Sequence, residues 1–520
     1  MSQAGRRYDC IVVGAGHNGL VCALYLARAG RSVLVLEAGA QVGGAAITRE
    51  FAPGFQVSAG AHLLHLMPPR LMQELDLSAH GLKLAAERLT TVALAADGGH
   101  LTLAGDSVFG VSDLADRAAY PRWRALMQRL ANALHPALLD APPRLGSGEW
   151  RDGVSLLRLG WIIRRLGRHD MRELLRITGM CVHDLLEEHF SSPLLRGALA
   201  FDAVLGSNLG PRSPGTVLSL LYRMAAPGGP EALTQPEGGL GAVTRALGGA
   251  AAAAGAELRT NAAVARIQVR ADRVSGVALA SGEEIAAPVV ISNADPRTTF
   301  LGLLGSEHLD AGFVRRIAQL RSRGLAAKVH LALDALPQFR DLDPEALRGR
   351  LLVAPSPDYI EDAYNHAKYR EYSAAPALEV TVPTLADPAL APAGRHVVSV
   401  IAQYVPYDLA GHWAQQREGF IKRVIDTLAV YAPQLPASVC GSELLTPVDI
   451  EREFRISGGH WHHAELAFDQ FFLVRPVPGA AQYRTPVPGL FLCGAGCHPG
   501  GGIMGLAGRN AARQVIREAA

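Results

Sequence analysis

Residues 8–46 read YDCIVVGAGHNGLVCALYLARAGRSVLVLEAGAQVGGAA. The run Cys10-Ile11-Val12-Val13 is short, apolar and β-branched, whereas residues 20–28 place Leu20, Ala23, Leu24 and Ala27 on one helical face. Between them stands Gly14-Ala15-Gly16-His17-Asn18-Gly19, and residues 32–36 read as a second buried strand that ends on Glu37. Strand, glycine turn, helix, strand and acid follow one another as in a Rossmann-type βαβ unit. In such a unit the first Gly makes the tight turn, the second lets the backbone approach a pyrophosphate, and the third lets helix and strand pack closely. The helix N-terminus offers N–H groups and positive dipole to the phosphates, and the acid accepts from a ribose hydroxyl. Gly14, Gly16, Gly19 and Glu37 occupy those places.

Glu37 would repel a 2′-phosphate, which argues against NADP at this site and leaves FAD or NAD. The residues that follow separate the two. After Glu37-Ala38 come Gly43-Gly44, then Ala45-Ala46-Ile47-Thr48, extending the pattern to E-x5-GG-x-x-x-T, in which the paired Gly give a second close approach to the pyrophosphate. This extension resembles the FAD site of the amine-oxidase and phytoene-desaturase flavoproteins. Many of those carry Arg after the paired Gly; here the residue is Ala45. The resemblance implies FAD as cofactor.

Length and composition bound the rest. A chain of 520 residues suggests two or three lobes. Lys and Arg total 50 against 48 Asp and Glu, and the absence of any basic run argues against a nucleic-acid partner. The six Cys include no CxxC pair, as expected of buried thiols in a reducing compartment. No apolar run approaches a membrane span, and the early one is interrupted by Gly14–Gly19, so neither a signal peptide nor a transmembrane segment is expected. Arg6-Arg7 lacks the apolar stretch that would make it an export signal. A cytoplasmic location follows, with peripheral membrane contact left open.

Residues 236–300 read as a Gly-rich helix start, a helix through the Ala-rich run, and strands at 257–259, 262–270, 274–280 and 284–292. Residues 71–235 are rich in Leu, Arg and Ala at helical spacing, with SLLRLGWIIRRLGRHDMRELLRI the clearest amphipathic stretch; packing and membrane-surface or apolar-substrate contact are both open to it. Residues 301–453 mix strands with helices. Near the C-terminus, GLFLCGAGCHPGGGIMGLAGRNAARQVI runs strand, Gly loop, then helix from about residue 503. Pro499 replaces the third Gly and no strand with an acid follows, so this is not a second dinucleotide site but a loop and helix start facing a flavin ring.

That closing motif, with VLEAGAQVGGAAITREFAPGFQVSAGAHLL and GGHWHHAELAFDQFFLVRPVPGAAQYRTPVPGL, resembles the phytoene-desaturase-like carotenoid oxidoreductases of the amine-oxidase superfamily, and within them the branch of pyridine nucleotide-disulfide oxidoreductase domain-containing protein 2. The resemblance implies an α/β fold: a Rossmann-type FAD-binding domain with an inserted β-meander (residues 1–70, 236–300 and 454–520), plus a discontinuous α+β substrate or cap domain (71–235, helical, and 301–453). It also implies that Ala61, Val264, Asn293, Gly494, Ala495, Ile503 and Met504 join Ala38 and Ala45 around the cofactor. A disulfide reductase would need a redox Cys pair soon after the paired Gly, and residues 48–55 contain no Cys. The expected reaction is therefore transfer to the flavin without a thiol relay, either dehydrogenation of a C–C bond in an apolar or amphiphilic small molecule or oxidation of a C–N bond. A flavin-bound interaction protein without turnover is the reading from another class.

Lys328, in AAKVHLALDALPQF, resembles the Lys that holds a water against the flavin in amine-oxidase relatives. In an alternating apolar strand it must be paired, functional or turned to solvent. By the same resemblance His463 and Asp469 lie on the substrate side, His463 as a proton-handling or orienting group, with His62 and His65 as further candidates for the cavity. The cluster His460-Trp461-His462-His463 suggests metal by composition, but adjacent residues of a strand point to opposite faces, so no metal site is expected.

Overall fold

The computed structural model describes residues 8–144, 146, 148–225 and 233–518; Arg6-Arg7 and the stretch 226–232 of the expected cap segment lie outside them. Cys10–Val13, Val33–Leu36, Glu257–Arg259, Val289–Ser292 and Leu490–Leu492 form one parallel sheet, with Cys10–Val13 central and the order 257–259, 33–36, 10–13, 289–292, 490–492. The first two strands are buried throughout, which is why they read as unbroken apolar runs rather than as alternation. The helix His17–Arg28 lies against the helices Gly241–Ala253 and Leu506–Glu518.

The expected strand 284–292 is two strands. Glu284–Ala286 closes an antiparallel meander with Val264–Arg270 and Arg273–Leu279, and Val289–Ser292 enters the parallel sheet beside Cys10–Val13. Pro288, with no N–H to give to a ladder, stands where the chain changes sheets. The last helix begins at Leu506, not at 503, because Ile503 has a positive φ of 57° and Gly505 one of 72°.

The second layer is an eight-stranded sheet ordered 439–445, 326–333, 396–403, 378–381, 350–353, 91–93, 101–104, 107–109. Three of its strands come from residues 71–235, so that segment is not wholly helical. The amphipathic stretch within it is two helices, Trp150–Arg165 and Gly167–Ile177, broken where Gly167 takes a φ of 82°. One face of the large sheet carries Val329, Val380 and Val400 into a core shared with the helix Trp413–Ala429. On its other face the register aligns Lys328, Ile401 and Glu379 across three adjacent strands, with His330, Ser399 and Thr381 aligned in the next row. Ile401 and Glu379 line a cavity that extends to the C-terminal ends of the parallel strands.

Candidate functional site

At the parallel-sheet end, Gly14 turns out of the first strand with a φ of 94°, a conformation that side chains resist. Gly19 permits the helix to approach, since a Cβ there would stand 2.2 Å from the Gly14 carbonyl oxygen. Gly43 N–H donates to Ala15 O at 2.9 Å, tying the paired-glycine segment to the first turn. Glu37 accepts from Ala15 N–H at 2.7 Å on one oxygen and from Gly39 N–H at 2.8 Å on the other. Each oxygen keeps acceptor capacity for a hydroxyl. Gly14, Gly16, Glu37, Ala38, Gly43, Gly44, Ala45, Ala61, Val264, Asn293, Ala495 and Ile503 all line the one cavity. Gly19, Gly494 and Met504 stand a layer behind it: Gly19 packs on the Gly14 carbonyl, Gly494 on the Asn293 carbonyl, and the buried Met504 accepts from Tyr222 Oη through sulfur.

Across the cavity the closing loop is held by a residue whose function the sequence did not signal. Arg475 is fully buried, and its guanidinium donates to the carbonyls of His462, Ala464, Glu465, Gln470, Ala495 and Cys497 at 2.6–3.3 Å. It thereby joins the 460s segment to the loop after the last strand. That segment is a turn rather than a strand, and His463 adopts a positive φ of 62°. Together with Ile503, a β-branched residue in the same backbone region, this puts two uncommon conformations on the cavity wall, a pattern associated with ligand sites.

His17, His62, His65, His462 and His463 all line the cavity, and burial drives each imidazole toward its neutral form. His463 falls to about 4, with the nearby Asp295 opposing the shift. His463 Nδ1 is buried without a partner among the described residues.

Lys328 is fully buried in a central strand, which settles its direction: it does not face solvent. Its Nζ reaches Ser399 Oγ at 2.8 Å and His62 Nδ1 at 2.9 Å. His62 Nε2 stands 2.8 Å from Glu379 Oε1. A carboxylate only accepts, so Nε2 carries the hydrogen and Nδ1 receives from Lys328. Glu379 continues the chain to Arg350 at 2.5 Å, and Arg350 to Asp202 at 2.7 Å, which also meets Arg223 at 3.1 Å on the cavity side. Burial lowers Lys328 to about 7, with the Glu379 charge holding it from falling further. Burial alone would raise Glu379, but Arg350 and the His62 hydrogen bond keep it well below the usual carboxylate range. Lys328 thus meets the cavity through His62, while Glu379, Arg350, Asp202 and Arg223 are components that single-strand patterns do not reveal.

Asp469 is not part of this site. Its side chain is 64% exposed and forms a two-pronged ion pair with Arg321 at 2.6 and 2.8 Å. The carboxylate beside His463 is Asp295, anchored by the N–H groups of Arg297, Thr298 and Ser457 and by the Thr298 hydroxyl.

A glycine-lined cleft across the ends of a parallel sheet, an acid at the second strand, and a second sheet roofing the far end define a dinucleotide-binding oxidoreductase of the two-lobed flavoprotein class. The flavin-containing amine oxidoreductase family model matches residues 19–516, and the chain belongs to that family. Pyridine nucleotide-disulfide oxidoreductase domain-containing protein 2 of Rattus norvegicus is 37% identical over 98% of this chain and 94% of its own length. A lycopene-forming phytoene desaturase of a Paracoccus strain is 25% identical over 96% of this chain and 95% of its own. Among solved structures, cyclohexylamine oxidase of Brevibacterium oxydans superposes with a TM-score of 0.62 at 18% identity, covering 99% of this chain and all of that one, a likeness of fold. The protein is an FAD-dependent oxidoreductase. The cleft fits that cofactor: bare backbone at Gly14, Gly16, Gly43 and Gly44, Glu37 with spare acceptor capacity, and, at His65, His462 and His463, imidazole nitrogens without a hydrogen-bond partner among the described residues.

Proposed function

We propose that the protein dehydrogenates a carbon–carbon bond of an apolar or amphiphilic small molecule. The observation that carries this reading is the charge state of the cavity. Its lining carboxylates are Glu37, Asp295 and Glu379, and all three are engaged by N–H groups, hydroxyls or cations of the protein. The remaining polar lining is the imidazoles, which burial drives toward neutrality, with Asn18, Asn293, Thr298 and Trp461 and the cations Arg223, paired with Asp202, and Arg455. A protonated amine would leave water for a site whose lining carboxylates are already engaged, at a cost that an uncharged carbon skeleton avoids. The phytoene desaturase relative, by its name, supports a desaturation.

FAD, when bound, would supply the acceptor for one hydride, which carries both electrons of the oxidation. The chain's own part is to bind, orient and handle the proton. Gly14, Gly16, Glu37, Gly43 and Gly44 hold the nucleotide end. The apolar lining residues Leu63, Leu205, Leu233, Leu303, Ile401 and Ile456 exclude water from the carbon skeleton. His463, neutral and held in place by the Arg475 clamp, accepts a hydrogen bond from the departing proton or from a water that takes it. Burial lowers it to about 4, so near neutral pH it is free to accept that hydrogen bond, and the proton leaves to solvent water. Lys328, at about 7, is the group whose charge changes near neutrality.

Anaerobic addition of candidate substrates to the yellow protein tests this. Terpenoid, fatty-acyl and other weakly polar skeletons with an abstractable C–H pair are expected to bleach the visible absorbance and to yield a product with one more double bond. Primary or secondary amines that bleach the protein faster, with an aldehyde, ketone or imine as product, would replace this reading with C–N oxidation.

A further inference from the structure

The helix Trp150–Arg165 has apolar residues on two opposite sides. Leu156, Leu159 and Ile163 are half-buried, and no residue of the helix is fully buried. On the other side, Trp150, Val154, Leu157 and Trp161 follow one another at spacings of four, three and four, which aligns them in a single stripe. Their exposures are 73%, 52%, 76% and 59%. A contiguous exposed stripe that contains two tryptophans is not ordinary surface.

Arginines border the stripe. Arg158 and Arg165 flank one edge and Arg164 the other, and Arg151, Arg168 and Arg172 stand nearby; all six are exposed. None of the six forms an ion pair among the described residues, whereas the neighbouring Arg144, Arg129 and Arg176 are each paired with an acid. The guanidiniums of Arg151 and Arg165 rest over the rings of Trp150 and Trp161, at 5.6 and 4.6 Å from the centroids.

We propose that this face docks on an anionic lipid bilayer surface, with the helix lying in the interface plane. Tryptophan is suited to the boundary between headgroup and acyl chain, and arginine side chains bordering an apolar stripe extend to reach phosphates. A protein interface of the same shape would have to neutralise six unpaired guanidiniums; an anionic headgroup layer does so without specific geometry.

The test uses the full-length FAD-loaded protein and large vesicles of phosphatidylcholine alone or with about one-third phosphatidylglycerol. Co-sedimentation is expected with the anionic vesicles, weakening with salt, and the tryptophan emission should shift to the blue. Trp123 and Trp413 are already buried, and Trp461 lines the cavity, so such a shift reports Trp150 and Trp161. Trp150→Ser with Trp161→Ser, and separately Arg158→Glu with Arg165→Glu, should each lower binding roughly tenfold or more. FAD absorbance and thermal unfolding should be unchanged, because these side chains face outward. Equal partitioning of wild type and both variants, or none to either vesicle, would overturn the proposal. So would a concentration-dependent dimer of the wild type that the Trp variant abolishes, since a second copy would then occupy the stripe.

Discussion

Glu37 and Lys328 are both single charges in places that sequence pattern marked, yet the structure gives them different kinds of partner. Glu37 holds the turn at Ala15 as well as offering acceptors to the cofactor. Glu37→Ala should therefore weaken FAD binding by about 1.5–3 kcal/mol, the value of hydrogen bonds to a charged acceptor, as read from the dissociation constant. Glu37→Gln, which keeps one carbonyl acceptor, should lose less; unaltered affinity in both would remove Glu37 from cofactor binding. Lys328 has its ordinary value lowered to about 7. It is cationic below that pH and neutral above it, and only the cation favours the negative charge that passes to oxygen during reoxidation. Lys328→Met should then slow oxygen consumption after reduction below about pH 7, and the difference from wild type should shrink as the pH rises through that value, with FAD still bound. A pH-independent difference would make Lys328 a packing residue. The cofactor end was legible because its residues are neighbours in sequence: Gly14 to Glu37 form one strand–turn–helix–strand unit. Glu379, Arg350, Asp202 and Arg223 were not, because they come from four separate segments, two adjacent strands of the large sheet and the helices Pro193–Val204 and Thr216–Met224.

Among the elements, those with strong periodicity or unbroken apolar runs were readable in the sequence, and their ends were decided by single residues. Ala326–Leu333 could be read as a strand, but whether its Lys pointed in or out depends on the strands at 439–445 and 396–403 that flank it. Residues 284–292 read as one strand because Ile285, Val289, Val290 and Ile291 satisfy the same pattern in either sheet, and only Pro288 marks the exchange. The turn at 460–463 carried a misleading signal, since clustered histidines suggest metal and the neighbouring Asp469 suggested a partner. Both readings ignore Arg475, whose six carbonyl acceptors shape this loop and place Asp295 beside His463. Arg475→Met keeps much of the bulk but leaves those buried carbonyls without a donor, so a loss of about 3 kcal/mol or more is expected. It should appear as a lower unfolding temperature together with easier release of FAD. Lower stability with undiminished FAD retention would show that the clamp supports the fold and not the cofactor wall.

At the scale of the whole molecule, the described residues contain one dinucleotide cleft and two strand-to-glycine-loop transitions. Only the first transition completes a βαβ unit. The second follows Leu490–Leu492, which is the edge strand of the parallel sheet, and its helix Leu506–Glu518 packs back on His17–Arg28. Among the described residues no second cleft is built to place a nicotinamide against the flavin, and five of the six cysteines are buried, with no disulfide pair to relay electrons. No helix among the described residues is long and apolar enough to cross a membrane. Anaerobic NADH or NADPH is accordingly expected to bleach the protein no faster than buffer, whereas the substrate-reduced protein should regain its yellow colour when oxygen or a short-chain quinone is added. Stopped-flow absorbance separates the two half-reactions. Saturable bleaching by NADH, with a rate that survives removal of trace flavin, would mean that nicotinamide enters the substrate cavity itself, and electrons would then flow toward the carbon skeleton as a reduction rather than away from it as a desaturation.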